Sequence, residues 1–228
     1  MSDHLRPQRP NFLPPYAEEC LMALANLGLG RHISIGGAFG LSHYHEYRQT
    51  HDVDAWWRDS AASVDQVAVT RALQNTLSQY GAVRIRTWGE VVSVELLRDK
   101  RVIFSFQIAR RSARLLPEAE NVWPGELSVD SLEDIVASKM TALINRGAPR
   151  DFLDIYELCK SDVLSKEECW RLWQDRSIAA GESPDSKKAT LAIQSSLARI
   201  EVARPVMQGG DKARLRTWYN EVFLNGVV

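Results

Sequence analysis

Three β-rich runs, Ala82 to Trp88, Val91 to Leu97 and Val102 to Ala109, follow one another with only Gly89-Glu90 and Arg98-Asp99-Lys100-Arg101 between them. Apolar and β-branched residues bounded by such turn residues read as consecutive strands. Nothing comparable follows, because from Asp130 onward the apolar spacing is helical almost to the end. A chain that mixes strands and helices and then turns wholly helical belongs to the α+β class, with the change expected near Pro117 to Gly125.

Upstream of those runs, Tyr16 to Leu27 has the spacing of an amphipathic helix, which Gly28, Gly30 and Arg31 break. His32 to Ile35 reads as a short strand ending in Gly36-Gly37, and a helix can run from Ala38 to about Glu46. Thr50 to Trp57 alternates as a strand does, and Val64 to Tyr80 is helical in period until Gly81 ends it. Residues 1–15 hold Arg6, Pro7, Arg9, Pro10, Pro14 and Pro15 without an apolar core, so they read as an extended arm and not a signal peptide. A partner-binding arm and a frayed tail are both open there. The expected organisation is an arm over 1–15, an α+β core over 16–125, and a helical C-terminal portion over 126–228 that completes the active site.

Composition narrows the classes further. The 228 residues are 45% hydrophobic, enough for a substantial core, and the net charge of −1 argues against a globally basic nucleic-acid binder, so any basic site must be local. Cys20, Cys159 and Cys169 have no CxxC spacing and suit a reducing compartment. No apolar run reaches the ~20 residues of a membrane span. A cytoplasmic protein without membrane contact is expected.

The chemistry concentrates around Gly36-Gly37 and Asp52-Val53-Asp54. On a strand, residues i and i+2 share a face, so Asp52 and Asp54 would project side by side. Two carboxylates ~7 Å apart repel unless a cation lies between them. Mg2+ is the natural one, a hard ion that takes oxygen ligands and leaves room for phosphate oxygens. A glycine pair at a strand-to-helix turn lets backbone N–H groups approach a phosphate. Together these features make a site for a metal-bound triphosphate, whereas separately they are an ordinary turn and a solvated strand edge. Trp56-Trp57 carries the strand onward into apolar structure.

A second signal lies in Ser131 to Asn145, where Leu132, Ile135, Val136, Met140, Leu143 and Ile144 follow helical spacing behind a Ser131/Asp134 capping pattern. Lys139 falls on that stripe, and an inward lysine needs a partner or a ligand unless it snorkels at the edge. The next helix starts at Ala148-Pro149-Arg150-Asp151, with proline at the first helical position. Asp151 there reads as a first-turn carboxylate complementing the helix dipole, and Asp154, further from the apolar face, as a solvated aspartate.

In this order Gly36-Gly37, Arg48-x-Thr50-x-Asp52-x-Asp54, Lys139 and Arg150-Asp151-x-x-Asp154 resemble the AbiEii-type nucleotidyltransferases of abortive-infection and toxin–antitoxin systems, within the DNA polymerase β-like superfamily. The likeness runs over roughly residues 16 to 160. It implies a nucleotidyltransferase-like mixed β-sheet flanked by helices, with an all-helical C-terminal portion. It further implies Asp52 and Asp54 as Mg2+ ligands, with Gly36, Gly37 and Thr50 at the nucleotide. Lys139 would bind triphosphate, and Asp151 or Asp154 would support it or activate the acceptor. The implied reaction moves an NMP from an NTP to an RNA, in some such toxins a tRNA, or to a protein, in a toxin with a cognate antitoxin. In some of these toxins a hydroxyl two residues before the first aspartate is blocked by phosphorylation, which here would be Thr50. There is one departure. Many of these enzymes carry a third carboxylate on a neighbouring strand, but Val102 to Gln107 contains no acid, leaving Glu95 on the preceding run as a substitute or a surface residue.

Local basic clusters suggest where an RNA backbone could run: Arg84 and Arg86 on one strand face, Arg98, Lys100 and Arg101 in a turn, and Arg110, Arg111 and Arg114 beyond. An ordinary charged surface is the other reading. His43, His45 and His51 lack zinc-ligand spacing. Trp170 and Trp173, three residues apart, suit a core or a docking face. The competing class is a non-catalytic nucleotide-binding or partner-binding protein that keeps the nucleotidyltransferase fold.

Overall fold

The computed structural model describes residues 5–118, 122–200 and 209–226. Its contacts divide the chain into two units, Met1–Ile135 and Val136–Val228. The first contains strands β1 (Ile33–Gly36), β2 (Asp52–Trp57), β3 (Ala82–Trp88), β4 (Val91–Arg98), β5 (Arg101–Ala109) and β6 (Ser128–Val129). They form one mixed sheet in the order β3-β4-β5-β2-β1-β6. The fold is thus the α+β class with a mixed sheet that the residue pattern and the resemblance imply.

The three expected β-rich runs are β3, β4 and β5, an antiparallel meander. Its turns use left-handed residues, Gly89 at φ 53° and Asp99 and Lys100 at φ 50° and 62°. That backbone hand matches the twist of the strands it joins. β5 then runs parallel to β2, and β2 antiparallel to β1.

Alternation gives the sheet two unlike faces. In β2, Val53, Ala55 and Trp57 are buried while Asp52, Asp54 and Trp56 are half-buried. Val53 lies beside Phe106, and Phe106 beside Val94, so one face is apolar across three strands. The helices α1 (Ala17–Asn26) and α3 (Ser63–Leu77) pack on each other, and α3 lies against β3 and β4. Leu21, Leu24, Val69, Leu73 and Leu77 seal that side.

The helix expected to reach Glu46 stops early, as α2 (Gly37–Ser42). The His43 ring lies 2.8 Å from the Phe39 carbonyl, the acceptor that the His43 backbone N–H would need to continue the helix. The arm, described from residue 5, packs on its own unit. Gln8 N–H donates to the His43 carbonyl (2.8 Å), and the Asn11 and Phe12 N–H groups donate to Glu46 (3.0 and 2.7 Å). Arg9 lies 4.7 Å over Trp123 and pairs with Glu18. β6 falls in the stretch expected to be helical. Two residues are too short to show a period, and it is seen only through its parallel pairing with β1.

The boundary between the units falls inside α4 (Leu132–Asn145). The second unit continues with α5 (Pro149–Lys160), α6 (Lys166–Ala179), α7 (Ser186–Arg199) and α8 (Gly209–Trp218), then a π-helical turn Tyr219–Phe223. Trp170 and Trp173 are buried, and Trp170 stacks on Phe223, so they serve this unit's core. Among the described residues no helix is long and apolar enough to cross a membrane.

Candidate active site

Strand register places the polar residues in rows on the face opposite the apolar one. Asp52 lies beside Ser105, Ser105 beside Glu95, and Glu95 beside Arg84. The next row runs Gly36, Asp54, Gln107, Ser93, Arg86. Ser105 Oγ donates to Asp52 Oδ1 (2.8 Å), and Gln107 Nε2 donates to Ser105 Oγ (3.2 Å), so the first carboxylate is held in one orientation. Thr50 Oγ1 donates to the Asp52 carbonyl at 3.3 Å, just ahead of the pair.

The two glycines are set by what crosses them. Gly37 has φ +60°, and a Cβ there would stand 2.2 Å from Asp54 Oδ2. A Cβ on Gly36 would meet Trp56 Nε1 at 2.3 Å. Both positions therefore exclude a side chain. Since α2 is six residues long, its dipole adds little, and the glycines matter for the room they leave.

The neighbouring strand offers Ser105 and Gln107, not an acid, beside the aspartates. Glu95 is neither a surface residue nor a close third ligand. It is buried, accepts from Arg84 Nε at 2.7 Å with Arg86 Nη1 at 3.7 Å, and sits two strands, ~10 Å, from Asp52. Sequence reasoning did not single out Asp130, which follows β6 on the same side of the sheet. It accepts from Ser34 Oγ (2.7 Å) and Arg111 Nη2 (3.0 Å). Burial pushes its carboxyl up to about 6, against the pull of Arg111 and Ser34. No local spacing could have flagged a partner 96 positions away. Arg111 and Arg114 also bond Glu118 (3.1 and 2.8 Å), so that part of the expected basic patch is neutralised by its own acids.

His43 is engaged at both nitrogens, by Trp123 Nε1–H (2.8 Å) and by the Phe39 carbonyl, which leaves it no lone pair for zinc. Among the described residues no group of three or more His, Cys, Asp or Glu is arranged to hold a metal. Two adjacent carboxylates nonetheless suit Mg2+, which characteristically binds one or two protein carboxylates and completes its shell with phosphates and water.

In the second unit Lys139 Nζ lies 2.6 Å from Asp154 Oδ2, with side-chain exposures of 9% and 0%. Asp154 is thus not a solvated aspartate: α5 turns it inward, toward the one cation on the apolar stripe of α4. Asp151 behaves as a helix cap. It accepts from the Ala148 N–H (3.1 Å) and takes both guanidinium contacts of Arg146 (2.8 and 2.7 Å).

A strand-borne aspartate pair facing a glycine turn is an arrangement that suits a metal-bound nucleotide. A family profile for the nucleotidyl transferase AbiEii toxins of type IV toxin–antitoxin systems matches residues 19–217. The chain belongs to that family, and its general role is that of a nucleotidyltransferase toxin. Among solved structures it resembles an H. pylori protein provisionally described as a nucleotidyltransferase, with a TM-score of 0.53 and 17% identity over 93% of this chain and 96% of that one. JHP933 from Helicobacter pylori matches at a TM-score of 0.49 and 17% identity over 91% and 90% of the two chains. The first of these supports the fold alone. No curated protein matches the chain.

Proposed function

We propose that this chain transfers an NMP from an NTP to an RNA acceptor in the cytoplasm, as the toxin partner of a cognate antitoxin. The observation that carries this reading is the Asp52/Asp54 pair, oriented by Ser105 and packed against a glycine that leaves no room for a side chain. The acceptor hydroxyl oxygen would attack the α-phosphorus in line, forming one P–O bond as the bond to the β-phosphate oxygen breaks and pyrophosphate departs with the electron pair. Bound Mg2+ would supply charge neutralisation on the triphosphate. Asp52 and Asp54 would hold it, and Gly36 and Gly37 would let backbone N–H groups approach the phosphates. Thr50 stands beside that approach. Lys139, placed by its 2.6 Å pair with Asp154, would serve as a phosphate-binding cation of the second unit. The proton of the acceptor hydroxyl would pass to a carboxylate. Asp151 and Asp154 are both buried and already engaged, Asp151 as a helix cap bound to Arg146 and Asp154 with Lys139. Proteins of this kind work mainly by positioning and charge neutralisation.

A second reading, a nucleotide-binding protein without catalysis, is favoured by one observation: Ser105 and Gln107 stand beside the aspartates where an acid would complete a second metal site. The deciding experiment incubates the protein with each α-³²P NTP, Mg2+ and total bacterial RNA, beside an Asp52→Ala/Asp54→Ala variant. Label in RNA that the variant loses establishes transfer. Label on protein instead would change the acceptor. Nucleotide binding with no label anywhere would favour the binding reading.

A further inference from the structure

Beyond the aspartates, the same sheet face extends across β5 and β4 to the edge strand β3, and the residues it presents there take no part in the site described. Arg84 and Arg86 head the two rows that end at Asp52 and Asp54. Their side chains are 48% and 57% exposed although both contact the buried Glu95. A third row begins at Trp88 and passes over Val91 and Ala109 to Trp56. Trp88 is 45% exposed, with the Arg86 guanidinium 5.4 Å over its ring. Trp88, this exposed on an edge strand, leaves much of its surface outside the core, and the arginines beside it carry charge to the same face.

We propose that this strip is the acceptor track, binding the single-stranded end of an RNA and leading it to Asp52 and Asp54. The proposal rests on the nucleotidyl-transfer reading for its direction, but its binding claim stands by itself. Its parts match what an unpaired strand needs. Trp88 offers a flat ring on which a base can stack, with the Arg86 guanidinium close enough to add a cation–π contact. Two arginines against one glutamate leave a net positive charge for backbone phosphates. Val91 and Ala109 are small, so the floor between Trp88 and Trp56 is low. Three strand spacings, ~14 Å, separate the strand of Trp88 from that of the aspartates, a span that a short unpaired tail covers. A base pair in a duplex hides the faces that Trp88 would stack on, so single strands are preferred.

The test measures fluorescence anisotropy of a labelled single-stranded RNA of about 12 mixed nucleotides, within the site sizes such platforms show. It uses the full chain without NTP, across a salt series. Trp88→Ala should weaken binding on the order of tenfold. Because removing the arginines alone would strand a buried carboxylate, the second variant changes Arg84→Gln, Arg86→Gln and Glu95→Gln together. It should lower the slope of log K against log salt by about 1.4, the value for two lost phosphate contacts on a single strand. Thermal melting of each variant reports whether the fold is kept. Binding unchanged in both folded variants overturns the track, as does a parent protein that binds no RNA, or blunt duplex RNA that competes equally well. The transfer assay run on the parent and on the same strip variants separates the two proposals. RNA bound through the strip without transfer by the parent sinks the transferase reading alone, and transfer that ignores Trp88 and the arginines sinks the track alone.

Discussion

Gly37 and Asp54 occupy each other's space: a Cβ on Gly37 would stand 2.2 Å from Asp54 Oδ2 and 2.5 Å from Asp54 Cβ. The glycine has φ +60°, so an alanine there is strained twice, by its backbone and by the carboxylate it displaces. Gly37→Ala should cost about 1–2 kcal/mol from the left-handed backbone alone. It should also lower nucleotide transfer on the order of 10²-fold by misplacing Asp54. Gly89→Ala provides the control, since Gly89 has φ +53° but nothing within 4 Å of a built Cβ. Urea unfolding should show the backbone cost in both and a further loss in Gly37→Ala, while the transfer assay separates them by activity. Equal activity in the two variants would remove Gly37 from the site.

Ser105 supports Asp52 from the neighbouring strand through a 2.8 Å hydrogen bond. Losing the group that orients a metal ligand typically weakens metal binding 10–100-fold. Ser105→Ala should therefore raise the Mg2+ concentration for half-maximal transfer by about that factor, with about 1 kcal/mol of stability lost. A Mg2+ titration at saturating NTP measures it, and an unshifted midpoint would mean that Ser105 only packs.

Lys139 and Asp154 form a buried pair at 2.6 Å. Asp154→Ala leaves a buried ammonium without its carboxylate and should cost about 3–5 kcal/mol. Lys139→Met combined with Asp154→Leu removes both charges and should recover most of that stability. If Lys139 serves the triphosphate, the double variant stays inactive although it is stably folded. Recovery of transfer along with stability would make the pair purely structural.

The imidazole of His43 is 3% exposed and sits between the Trp123 N–H and the Phe39 carbonyl. Burial lowers its pKa from 6.5 to about 4, partly opposed by the Phe39 and Gly40 backbone bonds and by Glu46. A depressed folded-state value contributes stability that is present above 6.5 and lost as the pH falls through 4. The shift corresponds to about 3 kcal/mol. Chemical unfolding from pH 7 to 4 should show this loss, and His43→Gln should flatten the curve over that window. A window that persists unchanged in the variant would assign it to other groups.

Much of the scaffold was legible along the chain. β3, β4 and β5 lie within a residue of the expected runs, and Pro149 opens α5 as expected, because these features depend on local period and local turn chemistry. The Asp52/Asp54 face is likewise a consequence of strand geometry. The early end of α2 was not legible, since it depends on a side-chain bond to a carbonyl that only the folded turn presents. Nor was the burial of Asp154, whose place on α5 reads as polar until Lys139 is brought within 2.6 Å.

By itself, then, the sequence determined the α+β order, the strand carrying the paired aspartates and the glycines before it, because each follows from spacing within a few residues. Only the tertiary structure decided that Ser105 stands beside Asp52, that Glu95 belongs to two arginines, and that Asp130 closes on Ser34 across 96 positions. Those pairings come from strand order and register, which are set by which apolar surfaces bury one another across the whole unit, and no local run of residues carries that information.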